Sequence, residues 1–538
     1  MSRLRAALPR DNSHAWHPQA LGSAHRDGLA GEDTRRVYDA CVIGSGAGGS
    51  VAADHLVRAG LDVLLIEEGF RLAPGITNGQ LDKLCRRAEI PGDDGDWIER
   101  GWPWTTSNLG GGTVFYGGAS FRYHDFDFDP SDLIRVRGLD VRWPYTLADL
   151  APYYTEMEQR LGVCGGDNGP SGHGRGPGHP RSAAGRRLWA GGETLGYRPF
   201  PTPLAINRDA RLGRPGCSAA SLCISFQCPT AAKSDVVSVF LRPLADHPGL
   251  TLRTGVRALA LDQRARGRVD EVVVLDRLSR QLHRVRARAI VLACNAVQTA
   301  ALLLRSRTRY APGGVGNESD MVGRGLCMKL SEYVVGEVDP LTGSADGRPL
   351  PGPFSTVSFT DHYVDEDCPT GVGGLLYEAK PDEPDATGAD SVLRVETILA
   401  DHPSPENRVT LGEQVDEDGV PVIRMHYRPD PRDLARLAYM VDRGRRLLHQ
   451  CGARTVRTEP SDFIEGSTHL HGTCRAGLDP TTSVTDPWGR VHSTDNVYVA
   501  DGSVMPYPGG LSPTLTIQAH ALRTAEAIAR RTKTSTVA

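Results

Sequence analysis

The sequence predicts a chain of mixed α/β and α+β class, and three observations predict it. A strand, glycine turn, helix and strand follow one another over residues 38–69. Apolar and charged residues alternate over 250–292, as in half-buried antiparallel strands or a hairpin. Residues 430–451 carry apolar side chains at helical spacing. With 538 residues the chain has room for two or three average domains.

The first unit is the clearest. Tyr38 to Ile43 is a short apolar run suited to a buried parallel strand. Gly44, Gly46 and Gly49 follow at the spacing of a phosphate-binding turn. The first glycine permits the tight turn, the second lets backbone approach a pyrophosphate, and the third lets helix pack on strand. A helix read from Ser50 to Ala59 aims its free N–H groups and positive dipole end at such a ligand. The second strand, 62–66, ends beside Glu67, where a carboxylate can hold a ribose hydroxyl pair. Glu68 is the competing acid; Glu67 fits better, directly after the last apolar residue. The unit specifies a dinucleotide without separating NAD from FAD.

Further along, residues 165–178 and 380–390 are rich in Gly, Pro and Asp and read as exposed loops or lids. Ile290 to Ala293 is another buried strand, with Cys294 counted with it and Cys41 on the first strand, both as core thiols. The helix over 430–451 sets Leu434, Leu437, Met440, Val441 and Leu447 on one face. A final helix opens at Ser512 and Pro513, good N-cap and first-turn residues, and runs to about Arg530.

Composition removes several function classes. Hydrophobic residues make up 39% and charged residues 23%, ordinary values for a globular chain. A net charge of −4 leaves no electrostatic footprint for nucleic acid. No apolar run approaches the roughly 20 residues that span a bilayer. Residues 1–30 are polar and lack the apolar core of a secretory signal. Eleven cysteines, an odd number, argue against a disulfide framework, so the expected compartment is the cytoplasm. Cys217, Cys223 and Cys228 lack the Cys-x-x-Cys pairs of common zinc sites and read as packing thiols, so no metal is expected.

Four motifs in order carry a family resemblance: Asn108 to Gly118, with Gly111, Gly112, Thr113 and Gly117; Ile290 to Ala296; His469 to Cys474; and Asn496 to Ile517. Together with Trp143 to Tyr153 they resemble the glucose-methanol-choline (GMC) oxidoreductases across most of the chain. The resemblance implies a Rossmann-like FAD-binding domain interleaved with an antiparallel-sheet substrate-binding domain. The expected divisions are 36–135, 215–325 and 455–538 for FAD, and 136–214 and 326–454 for substrate. It also implies cofactor contacts from Val256, Asp501, Gly502 and Thr514, with Asp501 acting through its loop.

The same resemblance assigns His469, three positions before the glycine of Gly472-Thr-Cys, as the base, with His471 as the alternative. Alcohol oxidation removes a proton from oxygen and a hydride from carbon; a neutral imidazole suits the first task, and flavin accepts the second. Ser512 has two readings, as helix cap or as a hydroxyl bonding the substrate oxygen. The family usually has Asn or His at that position, and often Asn where this chain has Tyr116. Phe115 and Tyr116 offer no histidine for covalent attachment, so the FAD is expected to be dissociable.

Runs such as Trp102 to Leu109 and Pro203 to Asn207 resemble family members of aminoglycoside pathways. The implied substrate is a primary alcohol on an amino sugar, such as the 6′-hydroxymethyl of paromamine, with O2 or another acceptor reoxidising the flavin. A cationic substrate favours acidic residues at the rim, and Asp361, Asp365, Glu366, Asp367, Glu378 and Glu396 are the candidates. A non-redox lyase of the same fold, an NAD dehydrogenase and a non-catalytic binding protein are the alternatives. Flavin reduction by substrate, a yellow protein, and loss of activity in His469→Ala separate them.

Overall fold

The computed structural model describes residues 21–72, 84–92, 95–100, 105–166, 176–219, 223–225, 227–341, 352–380, 389–460 and 469–537. Its first sheet contains β1 (Val37–Ile43), β2 (Val63–Glu67), β3 (Leu250–Thr254), β4 (Val256–Asp262), β5 (Glu271–Asp276) and β6 (Gln281–Leu292). The order is β3-β2-β1-β6-β5-β4, with the short strand His25–Asp27 outside β3. From β3 to β6 the pairing is parallel, with Cys41 opposite both Leu64 and Ile290. From β6 to β4 it is antiparallel.

The alternating stretch 250–292 is therefore split between two pairing modes, and its first strand corrects the antiparallel expectation. All five residues of β3 are buried, Arg253 included. That arginine donates to Asp33 at 2.8 Å, so its charge marks an internal ion pair and not a solvent face. After β1, the helix α1 (Ala47–Arg58) begins three residues before the expected Ser50. Gly48 and Gly49 thus lie in its first turn, where a side chain on either would strike backbone. A Cβ would fall 1.6 Å from the Ala500 carbonyl oxygen at Gly48 and 1.8 Å from that of Gly44 at Gly49. Helix α2 (Asn295–Arg305) follows β6 as α1 follows β1.

The second sheet is wholly antiparallel: β7 (Leu330–Glu337), β8 (Ser358–Phe359), β9 (Gly374–Glu378), β10 (Val392–Leu399) and β11 (Thr455–Pro460), in the order β8-β9-β10-β7-β11. Helix α3 (Pro431–Gln450) packs on it, burying Met440, Val441, Leu447 and Leu448 against Val334, Leu376 and Val395. Leu434, expected on that face, is instead 50% exposed. Asp433 takes the inward position, accepting from the His402 N–H at 2.8 Å and from Arg436 at 2.6 Å. A third, smaller sheet joins Arg408–Val415 and Pro421–His426 to Ala88–Pro91 and Trp97–Arg100.

The last helix, α4 (Thr514–Val537), lies across α1, with the Ala521 methyl 3.6 Å from where a Gly48 side chain would stand. Most of the two expected loops, residues 167–175 and 381–388, lies outside the described residues. Among the described residues no helix is long and apolar enough to cross a membrane.

Candidate active site

A cavity opens at the carboxyl ends of β1, β2 and β6, where Ile43, Ile66 and Ala293 line it. Open α/β sheets bind ligands at that end of the strands. Gly44, in a left-handed turn with φ 95°, closes β1, and a Cβ on Gly46 would meet nothing within 4 Å. Gly46 therefore presents bare backbone to the cavity. Gly49 is the one expected cofactor glycine that does not line it, because its part is to let α1 sit against the Gly44 turn.

Glu67 is buried at the end of β2. It accepts from the Ser45 N–H at 3.0 Å, the Ser45 hydroxyl at 2.7 Å and the Gly69 N–H at 2.9 Å. Burial pushes its carboxyl up to about 7, against those bonds, which pull it down. The Ser45 hydroxyl in turn accepts from the Gly110 N–H at 3.0 Å, tying the first glycine turn to the second. A Cβ on Gly111 (φ 54°) would lie 3.2 Å from the Gly46 Cα, so the two loops meet backbone to backbone. Gly112, Thr113 and Gly117 continue this wall, and Val256 stands opposite at the head of β4.

Asp501 anchors the third contribution. Its carboxylate accepts from the Thr299 hydroxyl at 2.6 Å, and from the Ser503 N–H at 2.9 Å and hydroxyl at 2.6 Å. Both oxygens are thus engaged within the protein, fixing the Asp501–Gly502 turn against α2 at the cavity wall.

His469, Ser512 and Thr514 line the same cavity. Burial, and secondarily the nearby Lys329 ammonium, lower the His469 pKa to about 3. Both effects favour the neutral ring around neutral pH. His471 is completely buried and does not line the cavity, which separates the two candidates. Helix α4 opens one residue later than Ser512 as N-cap requires. Ser512 stands two residues before the first residue of α4, lines the cavity and is 5% exposed. Tyr116 also lines it, with its hydroxyl donating to the Ser234 carbonyl at 2.8 Å.

Other expectations fare differently. Cys294 lies off the strand, after β6 and at the start of α2, where it packs against the main core and also lines the cavity. Cys217, Cys223 and Cys228 pack against the main core, and no metal-binding group of His, Cys, Asp or Glu occurs among the described residues. Of the acidic candidates only Glu396 lines the cavity. Asp361 pairs with Arg198 and Asp365 with His362, while Glu378 accepts from Ser182 at 2.5 Å and Thr356 at 2.6 Å. Sequence reasoning missed Ser45, Ser331, Lys329 and Tyr377, whose parts arise from strand register and loop contact and leave no local motif.

The cavity thus joins a cradle of bare glycine backbone, a helix N-terminus and the Glu67 carboxyl to a neutral imidazole, a set of groups that fits a dinucleotide cofactor. Two GMC oxidoreductase family models match the chain, over residues 38–331 and 403–521. The chain belongs to the GMC oxidoreductase family.

As a GMC oxidoreductase it takes FAD, and the cradle described above fits that cofactor. Paromamine 6′-oxidase of Streptomyces fradiae is 63% identical, with 98% of each chain covered. 6‴-Hydroxyparomomycin C oxidase of Streptomyces lividus is 62% identical over the same shares. Among solved structures, pyridoxine 4-oxidase matches with a TM-score of 0.63 at 21% identity, covering 91% of this chain and 98% of the other. A formate oxidase matches with a TM-score of 0.64 at 16% identity, covering 95% and 100%. These distant likenesses bear on the fold alone.

Proposed function

We propose that this flavoenzyme oxidises a primary alcohol of an aminoglycoside, the 6′-hydroxymethyl of a paromamine-like amino sugar, to the aldehyde. The observation that carries it is a neutral, half-buried histidine lining one cavity with the glycine cradle, in a chain more than 60% identical to two named aminoglycoside oxidases. FAD, when bound, supplies the hydride acceptor. His469 takes the hydroxyl proton through its unprotonated ring nitrogen. A base whose conjugate acid has a pKa of about 3 does not ionise a resting alcohol. It receives the proton as the hydride leaves, when the oxygen becomes strongly acidic. The Ser512 hydroxyl donates to the substrate oxygen and orients the carbinol carbon.

The remaining cofactor contacts are Gly44, Gly46, Glu67, Gly111, Gly112, Thr113, Gly117, Val256, Asp501, Gly502 and Thr514, with Gly49 supporting the turn. The FAD is held without a covalent bond, since Phe115 and Tyr116 on the second glycine loop offer no histidine. We divide the chain as the sequence suggests, with 36–135, 215–325 and 455–538 on FAD, and 136–214 and 326–454 on substrate. Strand β11, at the edge of the last FAD segment, pairs into the second sheet. Eleven free thiols suit the reducing cytoplasm.

Anaerobic titration of the yellow holoenzyme with paromamine tests the reading through the flavin's visible band. Bleaching that recovers in air identifies an oxidase, and bleaching without recovery identifies another acceptor. An unbleached flavin, with another alcohol bleaching it, overturns the substrate.

A further inference from the structure

The loop that brings Ser512 to the cavity is fastened by side chains that do not themselves line it. The Tyr123 hydroxyl donates to the Pro508 carbonyl, and the Lys329 ammonium to the Leu511 carbonyl. Between these two, the Gly510 N–H donates to the Tyr363 hydroxyl at 2.6 Å. That hydroxyl in turn donates to Asp127 Oδ1 at 2.7 Å. Tyr363 comes from the segment between β8 and β9, and Asp127 from the short helix Asp125–Phe128. Both are buried, and neither meets the cavity.

This contact has a direction and a rigid base. With the phenol's proton committed to Asp127, its oxygen lone pairs are left to the Gly510 N–H. The other Asp127 oxygen accepts from the His124 N–H at 2.8 Å, which fixes the carboxyl. The Tyr363 backbone is held on both sides, its N–H donating to the Thr360 carbonyl and its carbonyl accepting from the Gly373 N–H, each at 3.0 Å. The His124 ring lies 4.3 Å from the phenol ring. A Cβ at Gly510 would stand 2.8 Å from that ring, so a glycine is what lets the loop approach it.

Ser512 follows Gly510 by two positions and has little freedom of its own. Pro513 comes next, and the residue before a proline is confined largely to extended backbone. The Leu511 carbonyl before it is already taken by Lys329. Where the Ser512 hydroxyl stands in the cavity therefore depends on where the loop is fastened. Resting on the proposed contact of Ser512 with the substrate oxygen, we infer that Tyr363, aimed by Asp127, is a positioning residue for the oxidation. It sets the place of the Ser512 hydroxyl beside the reacting alcohol without touching substrate or flavin.

Tyr363→Phe keeps the ring against His124 and Gly510 and removes the hydroxyl. Displacement of a reacting group by a fraction of an ångström is enough to lower kcat by about tenfold, which is the loss expected. The flavin spectrum and FAD content should stay as in wild type. A double-mutant cycle with Ser512→Ala separates positioning from a general loosening of the fold. In the Ser512→Ala background the same change should move kcat by less than about twofold, because the hydroxyl it positions is gone. Should Tyr363→Phe fail to fold, Asp127→Asn takes its place in the cycle, with the same pattern expected.

Losses that multiply in the double variant overturn the inference, as does an unchanged kcat in the folded single variant. A Ser512→Ala enzyme with wild-type kcat overturns it together with the substrate contact on which it rests. The cycle is run with whichever alcohol bleaches the wild-type flavin, so the failure of paromamine as substrate is read separately.

Discussion

The buried ammonium of Lys329 donates to the backbone carbonyl of Leu511, the residue immediately before Ser512. It also lies 3.3 Å from the Tyr123 hydroxyl, which donates to the carbonyl of Pro508 in the same loop. One lysine, immediately before the inner strand β7, therefore holds the loop that leads into α4, and the same charge acts on His469.

Lys329 should leave a signature in stability against pH. Burial lowers its pKa from 10.5 to about 7, so the folded chain sheds this proton first. Below about 7 both states hold the proton and the buried charge costs stability in full. Between about 7 and 10.5 the unfolded chain binds more protons, and stability climbs with pH. The slope reaches at most about 1.4 kcal/mol per pH unit. Urea midpoints from pH 6 to 10 should rise less steeply in Lys329→Met; identical slopes would contradict the assignment.

His469 should show no titration near the ordinary histidine value. Its pKa is lowered to about 3, chiefly by burial, so the neutral, proton-accepting form persists through the whole neutral range. The acid limb of kcat/KM attributable to this residue therefore lies well below pH 5 and not at 6.5. His469→Gln should lower kcat by about a hundredfold or more with the flavin spectrum intact. An acid limb near 6.5 that vanishes in the variant would overturn the base's low pKa.

Two neighbouring glycines should respond oppositely to a methyl group. At Gly46 the added carbon enters open cavity, so Gly46→Ala should fold normally and lose FAD affinity by about tenfold or more. At Gly48 it would meet the Ala500 carbonyl oxygen at 1.6 Å, and backbone cannot give way cheaply. Gly48→Ala should cost about 1–3 kcal/mol or more in stability. Thermal melts of the apoprotein with FAD titrations decide between the two effects.

Ser512→Ala separates capping from substrate contact. Loss of an N-cap costs about 1 kcal/mol, but the first residue of α4 is Thr514, which puts Pro513 and not Ser512 next to it, so stability should move by less than about 0.5 kcal/mol. Turnover should fall about tenfold through the missing hydroxyl donor. A lowered Tm with unchanged turnover would restore the capping role.

What the sequence revealed follows from range. Gly44, Gly46 and Glu67 were legible because one strand, one turn and one helix contain their whole argument. His469 was legible through its distance from Gly472 in a motif of six residues. Glu396 stood undistinguished among six acids, since its meeting with Tyr377 depends on β9–β10 register and with Ser331 on β10–β7 register. Leu250–Thr254 misled because Arg253 looks like a surface residue until Asp33 is folded against it. Cys294 misled by one turn, where β6 ends and the chain bends over the cavity.

The contact of Gly48 with Ala500 and Ala521 has a bearing on biosynthesis. The ribosome delivers the first glycine turn well before the segment at Ala500 that closes over it. Until that segment emerges, α1 has an uncovered flank and the cradle lacks its Asp501 wall. The nascent chain must wait with a half-built nucleotide site, and flavin loading must follow the synthesis of Asp501. Shortening the chain before Asp501 should therefore yield a colourless protein, however complete its first sheet.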